Sequence, residues 1–454
     1  MAKETEIKLR ISPASLATLR EHPSLATRGV GQWQTSELLN RYYDTADFAL
    51  ANSQVALRIR RDGEQLIQTL KSKGASVAGL SERNEFDWPL KSNRLVLSHL
   101  DETCWPDSLR ELDKKQLKAV FSTDFKRQFA ELRWLRDGVE TVVEVALDQG
   151  LVIADQQQED ICEVELELRA GDPAALLELA FELAADVALM PCDISKAERG
   201  YRLFDANSYS VAAEAAQLNA EMPLDDGFAA IAWQLLGNSQ RLAEQYRFNG
   251  HWKLLEQWLQ QLVGLRALLT SLGQAMPRAT SSTLRTQLDA LINDWRVRIL
   301  AGADDQRVRE ATPLEFTSEL THTRWGLFSL QMALWLQNKE WQKKRTVRGT
   351  RQGTATLQNW LLQFLKDEAE ALQVHRYMRQ PEDLAEQAPR LERLLVWLQT
   401  ARHMTELVDS DRLFGVLREL HNIALQSLSA EALVVRREHL GHVLTLNAWK
   451  QLRS

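Results

Sequence analysis

Along residues 4–11, Glu4, Glu6, Lys8 and Arg10 alternate with Thr5, Ile7, Leu9 and Ile11. Side chains on a strand point to opposite faces in turn, so a period of two predicts a strand with one charged and one apolar face. The pattern returns in Leu57-Arg58-Ile59-Arg60, in 66–71, and in 81–87, where Arg83, Glu85 and Asp87 lie opposite Phe86. It returns again in 125–129, in 143–148, which aligns Glu144 with Asp148, and in 161–168, which sets Glu163, Glu165 and Glu167 against apolar neighbours. Asp62-Gly63 and Asp137-Gly138 are hairpin signals between such runs. A helix opened by Asp172-Pro173 is expected to run to about Ala188, and a short one to span 197–204. Past residue 226 the spacing turns helical and stays so. Helices are predicted over 227–246, 250–271, 280–300, 313–337, 352–372, 387–405, 410–427 and 430–451.

The fold class read from this is α+β: a strand-rich part over 1–205, a linker over 206–226 and an all-α part over 227–454. A sheet with one charged face has two outlets. It can lie open with its charges in water, or close into a barrel with a polar lumen. The kind of charge bears on that choice. Clustered carboxylates suit hard divalent cations, and paired arginines with added lysines suit phosphate oxygens. Acidic and basic sets on one surface describe a site for a metal-chelated polyphosphate.

The residues in order are Glu4-x-Glu6-x-Lys8, Leu57-Arg58-Ile59-Arg60, Lys71, Arg83-x-Glu85, Arg127, Glu144 to Asp148, Glu163-x-Glu165-x-Glu167 and Ser195-Lys196. This series resembles the CYTH superfamily, the triphosphate tunnel metalloenzymes, from residue 1 to about 204. The resemblance implies an eight-stranded antiparallel β-barrel whose tunnel binds triphosphate through basic side chains and metal ions. It implies phosphate contacts from Lys8, Arg58, Arg60, Lys71, Arg83, Arg127 and Lys196, with Lys8, Glu6, Arg58 and Arg60 closest to the chemistry. Metal ligands are implied at Glu4, Glu6, Asp148, Glu163 and Glu165, with Glu144 and Glu167 as further candidates. Which two of the three glutamates at 163–167 ligate stays open. Two ions are implied, Mg²⁺ with Mn²⁺ as an alternative.

Other readings attach to single members of the set. Arg83 with Glu85 also reads as a structural ion pair, and Lys196 as a surface lysine. Arg10, Arg133 and Asp87 are expected at the tunnel mouths or in salt bridges. Tyr42-Tyr43-Asp44-Thr45 reads as a turn ordered by side-chain hydrogen bonds.

The helical part is similar to the CHAD domain, which binds polyphosphate through basic side chains. Seven of the nine histidines lie there (His251, His322, His375, His403, His421, His439 and His442), with a basic run Lys343-Lys344-Arg345, Arg348 and Arg351. The motif of that family is eroded around His251, so a plain solvated charge face competes with polyphosphate binding. Ten tryptophans between Trp233 and Trp449 read as core packing.

Composition changes the picture little. The chain has 454 residues and a net charge of −7, and its acidic excess sits in the first part. That balance, with no nucleic-acid fold signature, argues against nucleic-acid binding. No run approaches a membrane span and no signal-peptide core opens the chain, so a cytoplasmic protein without membrane partners is expected. Cys104, Cys162 and Cys192 have no metal-ligand spacing. The resemblance to the two families implies inorganic triphosphatase activity, splitting tripolyphosphate into pyrophosphate and phosphate. The alternatives are hydrolysis of thiamine or nucleoside triphosphates, or a polyphosphate-binding sensor. A cut after about residue 206 is expected to leave catalysis.

Overall fold

The period-two runs of the first part become strands whose charged faces all turn to one side. The computed structural model describes residues 2–77, 80–205, 215–320 and 322–453, so positions 206–214 of the expected linker lie outside the described residues. Eight strands carry the fold: β1 (Ala2–Arg10), β2 (Gln34–Asp44), β3 (Ala56–Asp62), β4 (Gln65–Val77), β5 (Leu80–Leu90), β6 (Lys118–Arg136), β7 (Val139–Ala154) and β8 (Gln157–Ala170). They pair antiparallel in the order β5-β4-β3-β2-β6-β7-β8-β1, and β1 pairs back onto β5. The sheet therefore closes into a barrel, and closure leaves no open edge among the eight. At the β6–β7 hairpin Asp137 and Gly138 have φ of 50° and 80°, as a type I′ turn requires.

Register fixes which side chains share the lumen. Glu6 lies opposite Glu167 and Lys8 opposite Glu165; Asp148 faces Glu163 on one side and Arg127 on the other. Glu4 lies opposite Arg83, Lys71 opposite Glu85, Arg58 opposite Tyr42 and Arg60 opposite Asn40. The alternate residues face outward. Helix α1 (Ala174–Asp186) packs against β1 and β8, and Ile7, Leu9, Val164 and Leu166 are fully buried. Each such side chain contributes about 1.5–3 kcal/mol by leaving water.

Helix α2 (Lys196–Phe204) plugs one end of the lumen. Its start is a capping box: the Ser195 hydroxyl accepts from the Glu198 N–H while the Glu198 carboxylate accepts from the Ser195 N–H. Ala197, Tyr201 and Leu203 share one apolar cluster with Leu38, Tyr42, Phe121, Phe125, Val152 and Ile161. Gly200 is pressed so closely on the Phe121 ring that a Cβ there would sit 2.1 Å from it. Asp44 ties the plug to the barrel. Its carboxylate accepts from the Thr45, Leu50 and Ala51 N–H groups at 2.7, 2.9 and 3.0 Å and from the Tyr201 hydroxyl at 2.7 Å.

The chain divides into two compact units, Met1–Ala212 with Gln240–Leu254 and Gln306–Leu334, and Ala213–Ser239 with Leu255–Asp305 and Trp335–Ser454. The second is all-helical. Its core stacks aromatic rings, with Trp258 edge-on to Trp295 at 5.7 Å and Trp360 against Trp397 at 4.7 Å. Eight of the ten tryptophans from Trp233 onward are buried, as core residues would be.

The helices beyond residue 223 follow the expected order with four corrections. The run over 352–372 starts only at Leu357, behind a separate helix Val347–Gly353, and a short helix Val374–Arg379 stands outside the expected set. The run expected over 313–337 is two helices, Gln306–Leu320 with Pro313 inside it and Thr323–Gln337. The run over 430–451 breaks at Leu446, whose ψ of 135° is extended, leaving Ala430–Thr445 and Asn447–Arg453. No helix among the described residues is long and apolar enough to cross a membrane.

Candidate active site

The lumen brings the predicted charges together. Asp148, Glu163 and Glu165 each offer an oxygen within 4.8 Å of the others, the one such cluster of possible metal ligands among the described residues. No histidine joins it. Oxygen donors at this spacing fit a hard divalent cation. Three cations hold the cluster together. Lys196, only 7 % exposed, reaches Asp148 at 2.8 Å, Glu165 at 3.0 Å and Glu163 more closely still. Arg127 forks onto Asp148 at 2.8 and 2.7 Å and also touches Glu165. Arg199 donates to Glu163 at 3.0 Å.

These pairings set the protonation states. Burial alone would raise the Glu165 carboxyl, but Lys196, Arg127 and Lys8 outweigh it and hold the group well below the usual range. Burial alone would lower Lys196, and its three carboxylates raise it instead. Glu165 and Lys196 are therefore both charged at neutral pH. Lys196 is buried among these carboxylates and is not a surface lysine.

Around the barrel the charges segregate. On the β3 side Arg58 lies 3.5 Å from Glu85, whereas Arg60 makes no ion pair among the described residues and donates to the Asn40 amide oxygen at 2.8 Å. Burial, then Arg58 and Arg127 nearby, lower Arg60 to about 10. That corner is short of negative charge. On the β7–β8–β1 side Glu144, Glu167 and Glu6 are cross-strand neighbours. Burial, opposed by Arg169 and reinforced by Glu4, Glu144 and Glu6, pushes Glu167 up to about 7. That corner is short of positive charge. Between them Lys71 pairs with Glu4 at 2.6 Å and Glu85 at 3.3 Å, and Lys8 touches Glu6 and lies 3.9 Å from Glu165. Ser81 adds a hydroxyl to Glu6 at 3.3 Å.

Not every charged residue joins. Arg83 faces the lumen opposite Glu4, yet has no ion pair among the described residues; the Arg83–Glu85 pair does not form, and Glu85 turns to Lys71 and Arg58. Arg133 is exposed and pairs with Glu131 and Glu140. Asp87 accepts from the Thr69 hydroxyl at 2.6 Å. Arg10 forks onto Glu244. In the helical part Arg345, a member of the densest basic run, is consumed by a two-pronged pair with buried Asp225.

The sequence reading missed Asn40, Arg199, Glu159 and Glu244. Arg199 had a signal, since Lys196, Arg199 and Arg202 recur every third residue on α2. Glu244 had none, because its partner Arg10 stands 234 residues away.

A closed antiparallel barrel with a lumen of matched carboxylates and cations, capped by a helix that carries a lysine inward, defines a class of charged-tunnel barrels. Residues 2–201 match the model of the CYTH domain. The inorganic triphosphatase of Haemophilus influenzae is 35 % identical over 203 residues, which make up 45 % of this chain and 55 % of that protein. The chain thus spans about half the length of that relative. Among solved structures, a candidate adenylyl cyclase from Hippeastrum with a dominant triphosphatase activity is 20 % identical at a TM-score of 0.32, covering 46 % of this chain and 97 % of its own. The PH1819 protein of Pyrococcus horikoshii OT3 is 18 % identical at a TM-score of 0.26, covering 40 % and 89 %.

Proposed function

We propose that the barrel hydrolyses inorganic triphosphate with divalent metal, tripolyphosphate plus water giving pyrophosphate plus phosphate. One observation carries this reading: the Asp148, Glu163 and Glu165 oxygens lie within 4.8 Å of one another, in the same lumen as Arg58 and as Arg60, which makes no ion pair among the described residues. The 35 % identical Haemophilus triphosphatase supports it.

Phosphoanhydride hydrolysis asks a protein for positioning and charge stabilisation more than for covalent chemistry. Arg58 and Arg60 would take nonbridging oxygens at the corner that lacks negative charge. Lys71, Arg83, Arg127 and Lys196 would add contacts, with Arg127 and Lys196 exchanging some of their carboxylate partners for phosphate. Lys8 would neutralise the terminal phosphate or the leaving group. Glu4, Glu6, Asp148, Glu163 and Glu165, with Glu144 and Glu167 beside them, would hold two ions, Mg²⁺ or Mn²⁺. Such ions supply charge neutralisation of the phosphate oxygens and acidify a coordinated water. We read 227–454 as a CHAD-like part that would add long-chain polyphosphate as a partner, with 1–205 as the catalytic domain.

A phosphate-release panel on purified full chain tests the substrate class: tripolyphosphate, thiamine triphosphate, ATP and long-chain polyphosphate, each with and without Mg²⁺. Fastest Mg²⁺-dependent turnover is expected on tripolyphosphate. Faster turnover of a base- or thiamine-bearing substrate would move the assignment there, and no metal-dependent turnover of any would overturn the hydrolase reading.

A further inference from the structure

Beyond the plug helix lies a second charged layer that the proposed reaction does not use. Glu244, on the helix Leu224–Asn249, is fully buried and accepts from Arg10 Nε and Nη2 at 2.6 and 2.8 Å. Arg10 also reaches Glu159 at 3.1 Å, and Glu159 accepts from Arg199 and Arg202 at 3.0 Å and from Arg247 at 3.1 Å. Arg199 is the same residue that donates to Glu163 at 3.0 Å. The chain of contacts therefore runs Glu244, Arg10, Glu159, Arg199, Glu163, all within one compact unit.

Charge in this layer is already short on the negative side. Arg10, Arg199, Arg202 and Arg247 face Glu159 and Glu244, and Glu163 is shared with Lys196. Arg202 is fully buried, and its Nε and Nη1 have no hydrogen-bond partner among the described residues. An arginine cannot shed its proton to relieve such an excess. Loss of the Glu244 charge would leave Arg10 and Arg202 to lean on Glu159, and Arg199 to lean harder on Glu163.

Two further ties, one from the Glu244 helix and one from the helix Thr323–Gln337, reach the same part of the barrel. Arg241, one turn before Glu244, donates to Glu198 at 3.0 Å, the capping-box residue of the helix that carries Lys196 and Arg199. Gly326 lets its helix approach the Leu189 carbonyl so closely that a Cβ would sit 1.5 Å from that oxygen. Leu189 immediately precedes Met190–Pro191, a two-residue strand paired with Leu9 and Arg10.

We propose that Glu244 is a positioning residue for Glu163, acting through Arg10, Glu159 and Arg199, and that residues 240–254 belong to the working site. The inference rests on the metal-site reading above. A cut at residue 206 would remove Glu244 and Arg241 and is expected to impair the site, contrary to the expectation drawn from sequence.

The test is Mn²⁺ binding to the full chain, by calorimetry or by the electron-paramagnetic signal of free Mn²⁺, with circular dichroism to verify folding. Glu244→Gln is expected to raise Kd about tenfold or more, the scale for residues that orient metal ligands. Glu244→Asp, which keeps the charge, is expected to fall between Gln and wild type. An unchanged Kd in folded Glu244→Gln overturns the inference. If that variant does not fold, Glu244→Asp decides: a Kd raised several-fold supports the relay, and an unchanged one overturns it. Wild type failing to bind Mn²⁺ would instead remove the metal-site reading itself.

Discussion

Lys8 sits between Glu6 and Glu165 with its ammonium inside the lumen, where a terminal phosphate would find it. Truncation to alanine is expected to lower tripolyphosphate turnover by about two orders of magnitude or more, the scale for a lost transition-state charge stabiliser; so is Glu6→Ala. Steady-state kinetics on folded variants measure this, and unchanged turnover would place the site elsewhere. Glu159 makes a prediction about pH. Burial would raise its carboxyl, but Arg199, Arg202, Arg10 and Arg247 hold it down to about 2. A depressed carboxyl adds stability above its unfolded pKa, and this is lost as pH falls through the folded value. Denaturant melts should therefore lose on the order of 3 kcal/mol from this group between about pH 5 and pH 2, and Glu159→Gln should remove that slope. The inward charges were legible in the sequence because a strand repeats its faces every two residues. Arg10 showed its face but not its partner, since an ion pair closed over 234 residues leaves no local trace.

At the scale of elements, α2 is the piece on which the site depends most. Its Ser195–Glu198 box satisfies helix-end donors, so Ser195→Ala should cost about 1 kcal/mol in denaturant melts. Weaker tripolyphosphate binding is expected with it, because Lys196 is the next residue. Gly200→Ala should cost about 1–3 kcal/mol, since its Cβ would drive into the Phe121 ring. A variant as stable as wild type would show that the plug can shift. Seven of the eight strands, both Asp-Gly hairpins and the helices α1 and α2 could be read from periodicity and turn chemistry; β2 and the short helices Leu16–Arg20, Pro23–Thr27 and Ala49–Asn52 could not. Nor could two helix breaks. Neither the bend at His322 nor the one at Leu446 carries a glycine or proline, so apolar spacing ran straight through them. Pro313, read as a helix start, lies inside its helix.

For the molecule as a whole, the lumen divides its charge unevenly. Arg60 makes no ion pair among the described residues, while Glu167 lies among Glu4, Glu6 and Glu144. A metal-chelated triphosphate would answer both deficits at once, the cation toward the glutamates and the phosphates toward the arginines. Anomalous diffraction from crystals of the full chain grown with Mn²⁺ and a non-hydrolysable triphosphate tests this directly. The account predicts Mn²⁺ peaks inside the barrel on carboxylates drawn from Glu4, Glu6, Asp148, Glu163, Glu165 and Glu167, with phosphate density against Arg58 and Arg60. An empty lumen beside Mn²⁺ and triphosphate bound elsewhere would contradict it.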